Sequence, residues 1–245
     1  MGGAAGVVVV TGAAGGMGMA VVRRLLADGR DVVAAVRRPH ELEVITAGRT
    51  RLHVVATDLC DAGMSSLVVE ASRATGLPCA GLVNLAGVSV GAGIDAIDDA
   101  DWASSFEVNA TAPMRLCRAL VPALRAAGGG AIVNVASPVA IQGARKVSYA
   151  ASKAALLGLT AALARSLGRD GIRVNAVLPG PTITGMTSDW PVERRENIAR
   201  STALGRLCEP EEIAGVISFL LGPDASYMTG AVLDVTGGAF LGGPL

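Results

Sequence analysis

The sequence predicts an α/β fold, a doubly wound parallel sheet of about seven strands with helices on both faces. Short β-branched runs alternate with longer Ala- and Leu-rich segments of helical spacing, and the short runs are apolar at nearly every position. Continuous apolar runs are typical of strands buried on both faces, as in a parallel sheet covered by crossover helices. No Gly- or Ser-rich linker divides the chain, so we expect residues 1–245 to form one domain.

Seven strands and five helices can be placed along the chain. The predicted strands are 7–11, 32–36, 52–56, 81–84, 131–136, 173–178 and 231–235, and the predicted helices are 18–28, 61–75, 98–127, 148–169 and 209–221. Asp61 is a candidate N-terminal cap, Pro210 stands in a first helical turn, and Gly29 and Gly222 follow last turns. Right-handed crossovers then put a ligand site at the carboxyl ends of the strands.

Composition excludes several classes of function. The 21 basic and 21 acidic residues cancel, and the chain has only two Trp, two Tyr and three Phe, so nucleic acid is not an expected partner. No uninterrupted apolar run approaches the roughly 18 residues of a membrane span, and the N-terminus lacks the positive region of a secretion signal. We therefore expect a cytoplasmic protein with no membrane partner. The four cysteines are widely spaced and the histidines number two, which predicts neither a disulfide framework nor a metal site.

The first motif with chemical meaning is TGAAGGMG at residues 11–18, which follows the first strand and opens a helix. Glycines at 12, 16 and 18 let the backbone turn tightly and approach a pyrophosphate. The phosphate oxygens would meet the free N–H groups and the positive end of that helix. No Lys follows the glycines, which excludes the phosphate-binding loop of NTPases. The motif predicts dinucleotide binding in a Rossmann fold.

The end of the second strand bears on the choice of dinucleotide. An Asp or Glu about 20 residues beyond the glycines usually binds the ribose 2′-hydroxyl of NAD. Here that position holds Val36, followed by Arg37 and Arg38. A guanidinium pairs well with a 2′-phosphate, so the sequence favours NADP(H) over NAD(H). The alternative is that both arginines belong to a solvated strand end.

Tyr149 and Lys153 form a YxxxK motif at the start of a predicted helix. Residues four apart share a helix face, and an ammonium beside a phenol lowers its pKa. Such a phenol can exchange a proton with an alcohol or carbonyl. Ser137 ends the preceding strand, and the carboxyl end of a strand meets the start of the next helix in a parallel sheet. The three side chains are therefore expected to converge on one oxygen and polarise a carbonyl group.

With these motifs in place, the sequence resembles the classical short-chain dehydrogenases/reductases over essentially its whole length. The stretches that carry the resemblance are TGAAGGMG, Asp58-Leu59, NLAG at 84–87, Val108-Asn109, IVNVAS ending at Ser137, YAASK, PGPT at 179–182 and SYMTGAVLDVTGG. The family transfers a hydride between NAD(P)(H) and an alcohol or ketone without a metal. Its members usually assemble as homotetramers. The resemblance therefore implies a homo-oligomer, either a tetramer or a dimer.

The resemblance assigns roles to individual residues. Tyr149 would be the general acid/base, and Ser137 would hold the substrate oxygen. Lys153 would lower the pKa of Tyr149 and bind the nicotinamide ribose. Asn109 would hold a water for proton relay. The cofactor residues implied are Gly12, Gly16, Met17 and Gly18 at the pyrophosphate, Arg37 at the 2′-phosphate, Asp58 and Leu59 at the adenine, Asn84, Ala86 and Gly87 beside the ribose, and Pro179, Gly180, Thr182 and Thr184 at the nicotinamide.

Two positions depart from the family pattern. Leu85 stands where a second Asn is common, which removes a side-chain hydrogen bond between segments. Thr236 replaces a usual Asp near the C-terminus, which puts an assembly or packing contact in doubt.

Residues 182–205 are expected to form a lid, in which Trp190 is either a substrate wall or a hinge packing residue. The apolar tail at 240–245 is a candidate contact with a neighbouring subunit.

The expected activity is NADP(H)-dependent reduction of a ketone to a secondary alcohol. The sequence does not rank a 3-oxoacyl thioester, a steroid, a cyclic terpenoid ketone or a sugar as substrate. A catalytically silent redox sensor is the alternative, although a sensor needs only the glycine loop. Extended epimerases or dehydratases usually show TGxxGxxG and a longer substrate domain. Enoyl reductases of the superfamily usually space Tyr and Lys more widely than four residues.

Overall fold

The computed structural model describes residues 6–42, 50–188 and 190–239. These residues contain a seven-stranded sheet in the order β3-β2-β1-β4-β5-β6-β7, in which every neighbouring pair is parallel. The strands are β1 (Val7–Thr11), β2 (Asp31–Val36), β3 (Leu52–Ala56), β4 (Cys79–Asn84), β5 (Gly130–Val135), β6 (Ile172–Pro179) and β7 (Val232–Val235). Each lies where the hydrophobic runs predict a strand.

Helices cover both faces of the sheet, so the predicted fold class is confirmed. They are α1 (Gly16–Ala27), α2 (Met64–Ala74), α3 (Asp99–Phe106), α4 (Ala112–Ala126), α5 (Val139–Gln142), α6 (Val147–Leu167), α7 (Gly185–Ser188), α8 (Val192–Arg200) and α9 (Pro210–Leu221). Alternate residues of β1 enter two separate cores. Val8 and Val10 pack with residues of α1 and α9, whereas Val7 and Val9 pack with residues of α2, α4 and α6.

The strand order places a crevice at the carboxyl end of β1. From β1 the chain builds outward to β2 and β3, then returns past β1 to form β4 on its other side. The segment after β1 leads toward β2, whereas the segment after β4 leads toward β5 on the other side. The two segments therefore diverge at the carboxyl ends of β1 and β4, and a ligand can enter between them. The glycine motif at residues 11–18 stands at this edge.

Two predicted helices begin or run differently from the expectation. Asp61 does not cap the second helix, which begins at Met64 after Gly63, because the Asp61 carbonyl accepts a turn hydrogen bond from the Met64 N–H. The segment 98–127 is not one α-helix. Asp98 caps α3, because its side chain accepts from the Asp101 N–H at 2.7 Å. A π-helical turn at Glu107–Thr111 then separates α3 from α4.

Among the described residues, one helical stretch, Val147–Asp170, is as long and apolar as a membrane span. Length and composition alone do not distinguish such a span from a core helix. This stretch packs on the sheet, and its buried polar side chains bind other elements of the fold. Thr160, for example, accepts from Asn134 Nδ2 of β5 at 2.9 Å. The apolar tail at 240–245 lies outside the described residues.

Candidate active site

The glycine loop is packed too closely for side chains at two of its positions. A Cβ on Gly18 would lie 2.1 Å from the Gly12 carbonyl oxygen, and one on Gly12 would lie 2.8 Å from Ala86 Cα. Gly12 also has a φ of 65°, in the left-handed region that favours glycine. The N-cap residue of α1, Gly15, has no side chain, and the first turn carries no acid. The positive helix end is therefore open to an anion.

Thr11 joins this loop to the segment after β4, a role that the sequence analysis missed. Its buried Oγ1 accepts from the N–H groups of Leu85 at 3.1 Å and Ala86 at 3.2 Å, and donates to the Val83 carbonyl at 3.4 Å. In the sequence, Thr11 stands out only as the first residue of the glycine motif. The hydroxyl binds β1 to β4 across the crevice and fixes the distance between the two loops.

Asn84 is placed at the crevice edge but its side chain points away from it. The side chain is 1% exposed and donates to Asn134 Oδ1 at 2.8 Å and to Cys117 Sγ at 3.6 Å. Asn84 and Asn134 are direct partners in the β4–β5 ladder, which explains the pairing of their amides. Any contact of Asn84 with a nucleotide would come from its main chain, as for Ala86 and Gly87.

The two arginines after β2 differ in their partners. Arg38 forms an ion pair with Glu41 at 2.7 Å. Arg37 is exposed and, within the part of the chain that the structure describes, has no ion-pair partner. The Thr57 N–H donates to the Val36 carbonyl at 2.8 Å, which brings Asp58 to the same edge. Among the described residues, this edge therefore offers the Arg37 guanidinium without an ion-pair partner beside the predicted adenine segment.

Leu59 and Asp58 contribute differently to that segment. Leu59 is buried in the core shared by α2 and α4. Asp58 folds back on its own turn, where its Oδ1 accepts from the Cys60 N–H at 2.9 Å. The Asp58 carboxylate thus holds the loop that follows β3 in place. The predicted adenine contact at these two residues stays a prediction.

Ser137 and Tyr149 meet beyond the carboxyl end of β5, as the sequence predicts. Ser137 stands two residues after the strand, Tyr149 lies in the first turn of α6, and their side chains are hydrogen-bonded. Burial raises the pKa of Tyr149, and the hydrogen bond from Ser137 opposes that rise. A buried phenol with this partner remains protonated at neutral pH and can donate its proton.

Lys153 is buried one helical turn after Tyr149. Its Nζ donates to the Val135 carbonyl at 2.7 Å, and burial lowers the pKa of this amine to about 8. A Cβ on Gly87 would stand 3.1 Å from Lys153 Nζ, so glycine leaves room for the amine without a shift of its side chain. The pKa of Tyr149 is raised in this structure, and its lowering by Lys153 stays a prediction for the protein with its cofactor.

Asn109 lies in the π-helical turn and its side chain is fully buried. Its Oδ1 accepts from the Val88 N–H, and its Nδ2 donates to the Val88 carbonyl, both at 2.9 Å. The same Nδ2 donates to Ser152 Oγ at 3.0 Å. The amide is therefore committed to Val88 and Ser152, and a water held by Asn109 would have to bind its main-chain carbonyl.

The segment after β6 folds back over the glycine loop. The Gly180 N–H donates to the Val235 carbonyl at 2.9 Å, and a Cβ on Gly180 would stand 2.6 Å from Thr236 Cα. Thr184 packs on the loop, since a Cβ on Gly16 would lie 3.1 Å from Thr184 Cβ. The segment 179–184 thus lies across the crevice from the first helix.

The stretch between Thr182 and Cys208 leaves the sheet and returns to its starting point. Its two ends pair as an isolated parallel bridge, in which the Cys208 N–H donates to the Pro181 carbonyl at 2.8 Å and the Ile183 N–H donates to the Cys208 carbonyl at 2.9 Å. Within the stretch, the Arg194 guanidinium lies 4.3 Å from the centre of the Trp190 ring. Trp190 therefore packs on α8 in this structure.

Comparison with known proteins places this geometry in a family. Residues 12–239 match a protein-family model described as Enoyl-(Acyl carrier protein) reductase. The meso-2,3-butanediol dehydrogenase of Serratia marcescens is 36% identical over 237 residues, which cover 95% of this chain and 94% of that protein. The chain belongs to the classical short-chain dehydrogenases/reductases.

Solved structures of short-chain dehydrogenases/reductases superpose closely on this one. The L-sorbose reductase of Gluconobacter frateurii, complexed with NADPH and L-sorbose, is 31% identical with a TM-score of 0.91, covering 98% of each chain. The 3-ketoacyl-(acyl-carrier-protein) reductase of Brucella melitensis, complexed with NADH, is 28% identical with a TM-score of 0.90, covering 96% of this chain and 98% of the other. The protein is thus an oxidoreductase of the CH–OH/C=O type that uses a nicotinamide cofactor.

The residues of this short-chain dehydrogenase/reductase fit a nicotinamide dinucleotide. The loop around Gly12 and Gly18 excludes side chains, and the adjacent end of α1 has no acid to repel a pyrophosphate. Gly87, in the segment after β4, lies beside Lys153 Nζ, and Lys153 stands one helical turn after Tyr149, which is hydrogen-bonded to Ser137. A dinucleotide bound along this edge of the sheet would have its phosphates at the glycines and its reactive end at the phenol.

Proposed function

We propose that the protein reduces a ketone to a secondary alcohol with NADPH, and that Tyr149 donates the proton. The observation that carries the proposal is the hydrogen-bonded pair of Ser137 and Tyr149, one helical turn from the buried amine of Lys153. The nicotinamide, when bound, supplies the hydride to the carbonyl carbon. The three side chains then act on the carbonyl oxygen, where negative charge develops.

Each side chain has a distinct task in this scheme. Ser137 donates a hydrogen bond that holds the carbonyl oxygen of the substrate. Tyr149, kept protonated by its raised pKa, transfers its proton to the developing alkoxide. The Lys153 ammonium stabilises the phenolate that this transfer leaves, and its pKa of about 8 lets it return a proton near neutral pH. Asn109 connects Lys153 to solvent through a water at its main-chain carbonyl.

The preference for NADPH rests on Arg37. Its guanidinium is exposed at the carboxyl end of β2, and Arg38 beside it is already paired with Glu41. No carboxylate stands at the position held by Val36, where one would repel a 2′-phosphate. An unpaired guanidinium can bind that phosphate through two parallel hydrogen bonds. The relatives with bound cofactor use either NADH or NADPH, so this preference is argued from the chain's own residues.

Three further features complete the proposal. Residues 1–245 form one domain, in which residues 182–205 cover the substrate as a lid. The substrate is a small ketone, for which a 3-oxoacyl thioester, a cyclic or steroid ketone and a sugar are the classes to compare. The protein works in the cytoplasm as a homo-oligomer, which light scattering of the purified protein would test.

The experiment is a screen for NADPH oxidation with a panel of ketones. The panel should hold the diketone that corresponds to 2,3-butanediol, a 3-oxoacyl thioester, a cyclic ketone and L-sorbose. Tyr149→Phe should abolish turnover and retain NADPH binding. Tyr227→Phe is the matched control, because Tyr227 is the only other tyrosine and is fully exposed.

Two results would contradict the proposal. If wild-type protein binds NADPH but oxidises it with no ketone of the panel, a redox sensor becomes the better reading. If Tyr149→Phe turns over at the wild-type rate, the proton comes from another group.

A further inference from the structure

The π-helical turn that carries Asn109 interrupts a helix that would otherwise run continuously. The Ala112 N–H donates to the Glu107 carbonyl, five residues earlier, where an α-helix would use the N–H of Thr111. Turns of this kind are rare and occur frequently at functional sites. Here the turn separates α3 from α4 at the residue predicted to serve proton relay.

Pro113 supplies a cause for this interruption. In an α-helix the carbonyl of Asn109 would accept from the N–H of residue 113, four positions later. A proline at 113 has no N–H, and its ring clashes with the carbonyl four residues earlier. Pro113 is buried, so moving α4 away to relieve the clash would disturb its packing. A widened turn relieves it and takes the Asn109 carbonyl out of the α-helical pattern.

A proline alone does not produce the widened turn. Pro122 lies inside the same helix, and Ala112–Ala126 remains α-helical around it. The difference lies in what the turn contacts. Asn109 holds Val88 by two hydrogen bonds and Ser152 by a third. Pro113 therefore opens the turn, and the Asn109 amide holds it open.

The widened turn is linked to the catalytic pair through Ser152. Ser152 Oγ accepts from Asn109 Nδ2 and donates to the Tyr149 carbonyl, each at 3.0 Å. A Cβ on Gly87 would stand 3.1 Å from both Asn109 Oδ1 and Lys153 Nζ, so these two side chains meet at one glycine. A shift of the turn would thus reach both the phenol and the amine.

We propose that Pro113 is a positioning residue for proton transfer. By withholding an N–H from the Asn109 carbonyl, it leaves that carbonyl to accept from a donor in the site, and it keeps the amide between Val88 and Ser152. The proposal rests on the proposed function, because it assigns Pro113 a part in returning a proton to Lys153. A residue with an N–H at this position competes for the carbonyl and draws the turn toward an α-helix.

The test compares Pro113→Ala and Pro113→Val with Pro122→Ala. Both variants at 113 restore the N–H, and valine also fills the buried volume that alanine leaves. Pro122→Ala is the matched control, since it removes a proline from the same helix at an exposed position. Circular dichroism first establishes that each variant is folded. The readouts are kcat and KM for a ketone across pH, and hydrogen exchange of the Val88 amide.

We expect kcat of both variants at 113 to fall by about tenfold or more, with little change in KM. A displacement of catalytic groups by about 1 Å reduces the rate by that factor or more. The loss should grow as pH rises through 8, because the proton returned to Lys153 then becomes limiting. The Val88 amide should exchange faster, because its acceptor is Asn109 Oδ1. Pro122→Ala should match wild type in all three measurements.

The two readouts separate this proposal from the proposed function. Unchanged exchange at Val88 in a folded Pro113 variant would overturn the structural claim, whether or not the wild type is active. An active wild type with a kcat and pH profile that Pro113→Val preserves would overturn the role in proton transfer and leave the proposed function in place. An inert wild type would count against the proposed function, and the exchange measurement would still decide the structural claim.

Discussion

Lys153 Nζ donates to the carbonyl of Val135, the last residue of β5, at 2.7 Å, although the two lie eighteen residues apart in the chain. The lysine side chain is only 3% exposed. The strand end thus fixes the amine at the carboxyl edge of the sheet, beside the helix turn that carries Tyr149. Burial of this ammonium costs free energy, and that cost makes the stability of the protein depend on pH.

The contribution of Lys153 to stability should rise between pH 8 and pH 10.5. The folded-state pKa of Lys153 is about 8 and its ordinary value is 10.5, so in this window the unfolded chain binds the proton more tightly. The cost of the buried charge is complete below about pH 8 and disappears as the pH passes 10.5, a gain of about 3 kcal/mol. Urea unfolding of the cofactor-free protein at pH 7 and pH 10 measures it. Wild type should gain stability relative to Lys153→Met between these two pH values, whereas its difference from Lys146→Met, at the only other lysine, should stay constant.

Ser137→Ala should lower turnover and shift its pH dependence. The Ser137 hydrogen bond lowers the pKa of Tyr149, so its loss raises that pKa further. Oxidation of the alcohol needs the phenolate, and its alkaline optimum should therefore move to higher pH. Loss of a donor to the substrate oxygen should reduce kcat by about 100-fold or more.

A matched serine controls for the change of side chain. Ser166 lies near the exposed end of α6, and its hydroxyl donates to the Leu163 carbonyl at 3.3 Å. Ser166→Ala should leave both kcat and the pH profile at wild-type values. An unshifted profile in Ser137→Ala would show that the hydroxyl does not act on the phenol.

Arg37→Ala should weaken the binding of NADPH and leave the binding of NADH unchanged. A hydrogen bond to a charged group is worth about 1.5–3 kcal/mol, which corresponds to a loss of about ten- to hundredfold in NADPH affinity. Titration of the purified protein with each nucleotide measures it. Arg38→Ala is the comparison, because Arg38 is paired with Glu41 and should change the NADPH affinity little. Equal affinities of wild type for NADH and NADPH would contradict the argument.

Gly18→Ala should destroy nucleotide binding, because its Cβ would lie 2.1 Å from the Gly12 carbonyl oxygen. Backbone cannot yield by so much without opening the loop. Gly158→Ala in α6 is the contrasting case, since a Cβ there meets nothing within 4 Å. This variant should bind nucleotide normally. Its free energy of unfolding should increase by up to about 1 kcal/mol, because alanine is more favourable than glycine in a helix interior. Thermal unfolding with and without NADPH distinguishes the two variants.

Much of the fold was predictable because burial on both faces leaves a clear pattern in the sequence. The runs around Val8 and Ile132 read as strands, and the strands are there. The convergence of Ser137 and Tyr149 followed from topology, since the end of a strand and the start of the next helix share one edge. Helix ends were less predictable, as at Asp61, where a local turn displaces the cap.

The details that sequence reasoning missed depend on partners far apart in the chain. The Asn84 side chain turns inward because register sets it opposite Asn134. Thr11 acquires its role only when β4 lies beside β1. The π-helical turn is the exception, since the proline four residues after Asn109 is a local signal in the sequence, although the hydrophobic pattern there predicts one continuous helix.

The bridge between Thr182 and Cys208 has a consequence for how this enzyme can acquire new substrates. Because the two ends of the intervening stretch are hydrogen-bonded to each other, its interior can be exchanged without altering the spacing of its attachment points. Residues 185–207 can therefore be grafted from a relative as a cassette, while Thr184, which packs on the glycine loop, and the phenol stay in place. With this stretch covering the substrate as proposed, selectivity and chemistry are separable in this chain, and directed evolution can be confined to one stretch.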